Sequence, residues 1–349
     1  MHYNFKDMKR LLLAILLLII ISTLSAQPAK EAKKPSGYIA VVLKNQAEDY
    51  SRRLGDSFSF AASSKGRMAI RIEYCKGNQF KQNSVFEAFI DDKNCKAIIL
   101  QLIDGRTAPL FAKKAKQCNI PIVFVSKEPN MNLAGYEKLI FYVGSNIEEG
   151  GILQGEMIAD YWNEHKADVD KNGDGILQYL MIRGELGSNI SRIRSESVIN
   201  TLINKGISLQ RIAYGYGDWT DESGSDIILR NISILDDLEM VIANNDEMAL
   251  GAYKELNKAG YSLPIFSTDA TKEGLEALEA GKITGTVISD AKSIADAALS
   301  IAYNLILNRP LTEENVGYTL ENNIVWIPYM SITREEHQKF VVEHHQFRV

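Results

Sequence analysis

From Tyr38 onward, short continuous apolar runs alternate with longer stretches whose apolar residues recur at helical spacing. The runs predict strands at Tyr38–Leu43, Met68–Tyr74, Ala97–Leu102, Ile122–Val125 and Phe141–Val143. A second series follows at Ile176–Ile182, Gln210–Tyr214, Met240–Ala243, Ile265–Ser267 and Gly285–Ile288. The periodic stretches predict helices between most of them, including Ile147–Trp162, Asp246–Ala259, Glu273–Glu279 and Ala291–Asn308. Strands that are apolar throughout and separated by helices indicate parallel sheets covered on both faces. Two such series predict an α/β chain of two doubly wound parallel-sheet lobes. In such sheets ligands gather at the carboxyl ends of the strands.

The loops at those ends are polar. Leu43 runs into Lys44-Asn45-Gln46-Ala47-Glu48-Asp49-Tyr50, Val125 into Ser126-Lys127-Glu128-Pro129, and Ile182 into Arg183-Gly184-Glu185. Ala243 leads to Asn244-Asn245-Asp246, Ser267 to Thr268-Asp269, and Ile288 to Ser289-Asp290. Helix capping accounts for Asp246 and Asp290, because short polar side chains satisfy orphan amides at helix starts. It does not account for so many amide and carboxylate groups at the same end of both sheets. A site that reads several hydroxyls needs such donors and acceptors, together with an aromatic face.

Composition narrows the class. Of 349 residues, 46% are hydrophobic and 24% charged, which excludes a disordered chain, and the net charge of −5 argues against a nucleic-acid partner. Three cysteines are too few for a disulfide framework and lack zinc-site spacing. Cys95 and Cys118 fall at the same predicted sheet edge, which leaves open either a bridge or three free thiols. Residues 1–26 form a separate object: Lys6, Lys9 and Arg10 precede an aliphatic run from Leu11 to Ile21, then small residues through Ala26. This pattern predicts a cleaved secretory signal peptide, the run being shorter than the ~20 residues that span a bilayer. Residues 27–36, charged and proline-bearing, read as a flexible leader.

The most specific local signal is Asp170-Lys171-Asn172-Gly173-Asp174-Gly175-Ile176-Leu177-Gln178. Oxygen side chains stand at relative positions 1, 3, 5 and 9, with Gly175 at the sharp turn, as in a calcium-binding loop. Position 7 supplies a backbone carbonyl, here from Ile176. Position 12 falls on Met181, where such a loop has a bidentate glutamate. A carboxylate must therefore arrive from elsewhere; otherwise the segment is a solvated acidic turn.

The segments SKEP at 126–129, FYVGSNIEEGGILQGEMIADYW at 141–162, DKNGDGILQYLMIRGE at 170–185, VIANNDEMALGA at 241–252, TDA at 268–270 and GTVISDA at 285–291 carry a family likeness. In order and spacing they resemble the periplasmic galactose/glucose-binding proteins of methyl-galactoside ABC transporters. The resemblance implies two lobes joined by a three-stranded hinge, crossing near Gly144, Ser289 and Asn323–Ile327. Lobe one is then 37–144 plus 289–323, and lobe two 145–288 plus 324–349. It also implies Ca2+ held by Asp170, Asn172, Asp174, the Ile176 carbonyl and Gln178, with Glu239 as the distant carboxylate.

For the sugar site, the resemblance implies Arg194, Asn245 and Asp269 bonding to hydroxyls, with Trp219 and Tyr50 against the two ring faces. Other positions of the family's polar shell differ. Glu48 stands for an aspartate, Ser126 and Ser289 for asparagines, Ser188 for a histidine, and Asn189 or Ile190 for a second aspartate. The resemblance implies a monomer in the periplasm that would deliver a galactose- or glucose-type monosaccharide to an inner-membrane ABC permease by hinge closure, and is compatible with a chemoreceptor as a further partner. A binding protein of the same fold for another sugar is the alternative. An enzyme would use Glu48 with Asp49, or Glu128 with Asp269, as an acid–base pair. No nucleophile constellation accompanies either pair, and none of the five histidines lies in a strand-end loop. A sugar-responsive transcription regulator would carry a DNA-binding headpiece where this chain has its export signal.

Overall fold

The computed structural model describes residues 36–64, 68–136 and 138–336. The expected signal peptide, nearly all of the leader, and His344 and His345 lie outside the described residues. The first lobe runs β1 (Tyr38–Leu43), α1 (Asp49–Ser64), β2 (Ala69–Tyr74), α2 (Gln79–Asp91), β3 (Cys95–Gln101), α3 (Ala108–Cys118), β4 (Ile122–Val125) and β5 (Ile140–Gly144). The second runs α4 (Ile147–Val169), β6 (Ile176–Arg183), α5 (Asn189–Asn204), β7 (Ser208–Tyr216), α6 (Asp221–Arg230) and β8 (Met240–Ala243). It continues through α7 (Asp246–Lys258), β9 (Ile265–Asp269), α8 (Lys272–Glu279) and β10 (Gly285–Ile288). The chain then adds α9 (Ala291–Ile306), α10 (Glu313–Val316), β11 (Ile324–Trp326) and β12 (Met330–Thr333).

The strands form two six-stranded sheets, ordered β11-β5-β4-β3-β1-β2 and β12-β10-β9-β8-β6-β7. Every pairing is parallel except that of β12 with β10. The two-residue period of a strand is visible in β1. Ile39, Val41 and Leu43 pack towards α1 and α9, while Tyr38, Ala40 and Val42 pack towards α2 and α3. Both faces are covered, which is why the run contains no polar residue. In lobe two, Leu180 and Ile182 join the core beneath α6, α7 and α8, while Tyr179 and Met181 join the one beneath α4 and α5.

The two lobes exchange chain. Helix α9 follows β10 in sequence but packs in the lobe-one core through Ile294, Ala298 and Ile301. Strand β11 pairs with β5, Ile324 opposite Tyr142 and Trp326 opposite Gly144. This corrects the assignment of 324 onward to lobe two, because residues 324–326 close the lobe-one sheet and the chain crosses after them. Neither β11 nor β12 was predicted. Each is an edge strand of four residues or fewer with a single fully buried side chain, too short for an apolar run. All three cysteines are free, Cys75 and Cys95 buried and Cys118 exposed. Among the described residues no helix is long and apolar enough to cross a membrane.

Candidate functional site

The carboxyl ends of the lobe-two strands converge on Arg194. This residue, on α5, is only 7% exposed; its Nη2 donates to Asp269 Oδ1 at 2.9 Å and its Nη1 to the Asn244 carbonyl at 2.7 Å. Burial works to lower its pKa, but the Asp269 carboxylate and the adjacent Tyr329 override this, so the pKa is raised and the guanidinium stays charged. Its buried Nε has no hydrogen-bond partner. Asn244 fixes the surroundings: its Oδ1 accepts from the Gly184 amide at 3.0 Å, and its Nδ2 donates to Ser195 Oγ at 3.1 Å.

Capping explains Asp290, whose Oδ1 accepts from the Ser293 amide at 2.9 Å at the start of α9. It does not explain Asp246. The N-cap of α7 is Asn245, whose Oδ1 accepts from the Met248 amide at 3.2 Å. Asp246, fully buried, instead ties strand ends together: it accepts from Ser267 Oγ at 2.6 Å, Thr286 Oγ1 at 2.8 Å and the Thr271 amide at 2.6 Å. Burial pushes its carboxyl up to about 6 even so. The expectation for Asp246 is corrected by this tie, which holds β9 and β10 against α7 beside Asp269.

Asn245 spends its amide within lobe two. Its Nδ2 donates to the Trp219 carbonyl at 3.1 Å and to Glu247 Oε2 at 2.5 Å. Glu247 was absent from the sequence candidates, yet it is half-buried, and its carboxyl faces Asp269, Asp246 and, from lobe one, Asp49. Burial first, and these charges second, raise it to about 9. The only sequence signal was its place two residues after the amide at the end of β8.

Lobe one contributes Tyr50, whose hydroxyl pairs with Ser126 Oγ at 3.0 Å and lies beside Ser289 and Tyr329; burial pushes the phenol up to about 12. Arg53, one turn further along α1, donates to the carbonyls of Asp269 and Ser289 at 3.2 and 3.3 Å. Thus Tyr50, Ser126, Arg194, Asp269, Ser289 and Tyr329 are brought together across the lobes. Asn245 and Trp219 join the same strand ends from within lobe two, whereas Glu48, Ser188 and Asn189 do not. Glu48 pairs with Lys44 at 2.9 Å. Ser188 caps α5 through the Ser191 amide at 3.4 Å, and Asn189 is exposed.

The backbone marks the same places. Ser126, Trp219 and Asp269 adopt φ of +64°, +72° and +113°, a region costly for residues with a Cβ, and strain of this kind collects at ligand sites. Trp219 lies over Gly184, where a Cβ would come within 2.2 Å of the indole. Only glycine leaves the ring its seat.

At the opposite end of lobe two, Glu239 reaches the 170–178 loop. Its Oε1 accepts from the Lys171 amide at 2.7 Å and its Oε2 from the Gln178 amide at 3.0 Å. Burial, then the nearby Asp170 and Asp174 charges, push its carboxyl up against those bonds. Asp174 Oδ1 accepts from the Ile176 amide at 2.8 Å, and Asp170 Oδ2 from the Gly175 amide at 3.0 Å. Two buried oxygens, Asp170 Oδ1 and Gln178 Oε1, have no hydrogen-bond partner. Among the described residues no group of three or more His, Cys, Asp or Glu side chains is arranged to hold a metal. A cation here would depend on the amide and carbonyl oxygens of Asn172, Ile176 and Gln178 as well. An all-oxygen set with orphaned acceptors fits a hard cation such as calcium.

Residues 39–310 match the periplasmic binding protein domain family. The chain belongs to that family. Among its relatives, the D-galactose/methyl-galactoside binding periplasmic protein of Haemophilus influenzae is 30% identical over 299 residues, 85% of this chain and 89% of that protein. The ribose import binding protein of Bacillus subtilis is 22% identical, covering 80% of this chain and 85% of its own. A solved ABC transporter solute binding protein from Bacillus halodurans with bound myo-inositol superposes with a TM-score of 0.74 at 22% identity, covering 90% of this chain and all of that one. Such a likeness establishes the periplasmic binding protein fold of two parallel-sheet lobes, and no more.

Proposed function

We propose that this periplasmic binding protein is exported, takes one monosaccharide of galactose or glucose type between its lobes, and delivers it to an inner-membrane ABC permease by hinge closure. The observation that carries the reading is the buried Arg194–Asp269 pair at the strand ends of lobe two, with an unpartnered Arg194 Nε beside it. A neutral polyol can accept from that nitrogen and donate to the free Asp269 oxygen, and charge-assisted bonds of this sort are strong and directional. Trp219 supplies an apolar face from lobe two and Tyr50 one from lobe one. Ligand contacts on both lobes favour the closed form, which is binding without a chemical step. The galactose-binding relative supports the hexose class. A different sugar or cyclitol is the second reading, favoured because the Asn245 amide is already taken by Trp219 and Glu247.

The same proposal gives the 170–178 loop a calcium ion held by Asp170, Asn172, Asp174, the Ile176 carbonyl, Gln178 and Glu239. When bound, the ion supplies only charge, pinning the loop to the residues before β8. Thermal melting with D-galactose, D-glucose, D-ribose, D-allose and myo-inositol tests the ligand. A rise with one hexose and compaction in X-ray scattering are expected, and no response to any of them defeats the sugar reading. Chelator should lower the melting temperature, and Glu239→Ala should demand more calcium to restore it. A melting curve unmoved by chelator, with no metal in the purified protein, removes calcium from the proposal.

A further inference from the structure

Arg53 leaves its own lobe. It lies on α1, which packs in the lobe-one core through Leu54 and Phe58. Its guanidinium nevertheless donates from Nη1 to the Asp269 carbonyl of lobe two at 3.2 Å and from Nη2 to the Ser289 carbonyl, where the chain crosses back to lobe one, at 3.3 Å. These acceptors end β9 and follow β10, so one touches the lobe-two sheet edge and the other the crossing that leads into α9. Asp49, one turn back on α1, stands 4.0 Å from Nη1. Asp269 is therefore gripped twice: its carboxylate by Arg194 from within lobe two, and its carbonyl by Arg53 from lobe one. Its φ of +113° costs energy that such contacts offset.

We propose that Arg53 is a positioning residue for closure. Its two-pronged guanidinium fastens lobe one to the main chain of Asp269 and Ser289, so the closed lobes and the Arg194–Asp269 pair are stabilised together. The inference rests on the closure reading above. It does not depend on which sugar is held, because the acceptors are backbone carbonyls. The side chain must be arginine: a planar fork can serve two carbonyls at fixed separation, whereas lysine offers one compact charge.

The test compares wild type, Arg53→Ala and Arg53→Lys as full-length processed protein. X-ray scattering is recorded with and without saturating D-galactose, and D-galactose release is followed by stopped-flow tryptophan fluorescence. Ligand-free Arg53→Ala should be more extended than wild type. It should release D-galactose about tenfold faster, as expected for losing bonds from a charged donor, with association changed less than about twofold. Arg53→Lys should fall between the two. Superimposable ligand-free profiles with equal release rates overturn the proposal, as does a lowered melting temperature with no change in compactness. If wild type responds to no sugar, the sugar reading fails on its own, and the ligand-free profiles alone decide for or against Arg53.

Discussion

Lobe two meets the cleft with side chains that hold one another. Asp246 binds Ser267, Thr286 and the Thr271 amide, Asn244 binds Gly184 and Ser195, and Arg194 binds Asp269 and Asn244. Lobe one meets it with a smaller network, in which Gln101 Oε1 accepts from Ser51 Oγ and the Lys44 amide, with the Tyr50–Ser126 hydroxyl pair, and with Lys127, partly buried, whose Nζ rests on the Ile103 carbonyl at 2.5 Å. Nearby, the half-buried Lys44–Glu48 pair links only residues of the loop before α1. The difference teaches where preorganisation lies. A half-site whose donors already point the right way loses little entropy on binding, and the facing half can then be a simpler surface brought up by closure.

The largest expected effect strikes the lobe-two network. Asp246→Ala leaves a buried amide and two hydroxyls without their acceptor and should cost about 2–4 kcal/mol in urea unfolding, with loss of sugar response. A loss below about 1 kcal/mol would make the two edges equivalent and break the comparison.

Glu247 gives the next effect, and its sign depends on pH. Its carboxyl is raised to about 9 in the folded protein from an ordinary 4.5, so the folded state keeps a proton that the unfolded chain has lost across that window. Stability therefore falls as pH rises through it. Glu247→Gln keeps an acceptor for Asn245 and should raise the melting temperature by about 2–4 °C at pH 8, with almost no change at pH 4. Equal shifts at both pH values would show that packing, not charge, sets the result.

The smallest effect belongs to lobe one. Ser126→Ala removes one hydroxyl partner from Tyr50 and should weaken hexose binding by about tenfold or less, with stability changed by under about 1 kcal/mol. Calorimetry that found a loss as large as for Asp246→Ala would show that lobe one is built as tightly as its partner.

Much of the fold was legible because buried parallel strands must be apolar at every position, as β1, β4 and β8 are. The edge strands β11 and β12 lacked that signature. The calcium-like loop was legible because five of the six oxygen positions proposed for it fall at every second residue from Asp170 to Gln178, and the family resemblance supplied Glu239. The cleft was harder. Asn245 and Asp246 are neighbours with different duties, one a cap and the other a cross-strand tie, and nothing local separates them. Glu247 became visible only through its bond to Asn245. The positive φ angles of Ser126, Trp219 and Asp269 leave no trace in residue type, since none is glycine.

The pairing of β11 with β5 joins residues 324–326 to a strand about 180 positions earlier. During synthesis, the first half of the chain emerges without the last strand of its sheet and without α9. Its core beside α1 stays open on one side until residues 291–306 have been made. Folding thereby carries a built-in delay, since the lobe made first is among the last to be completed.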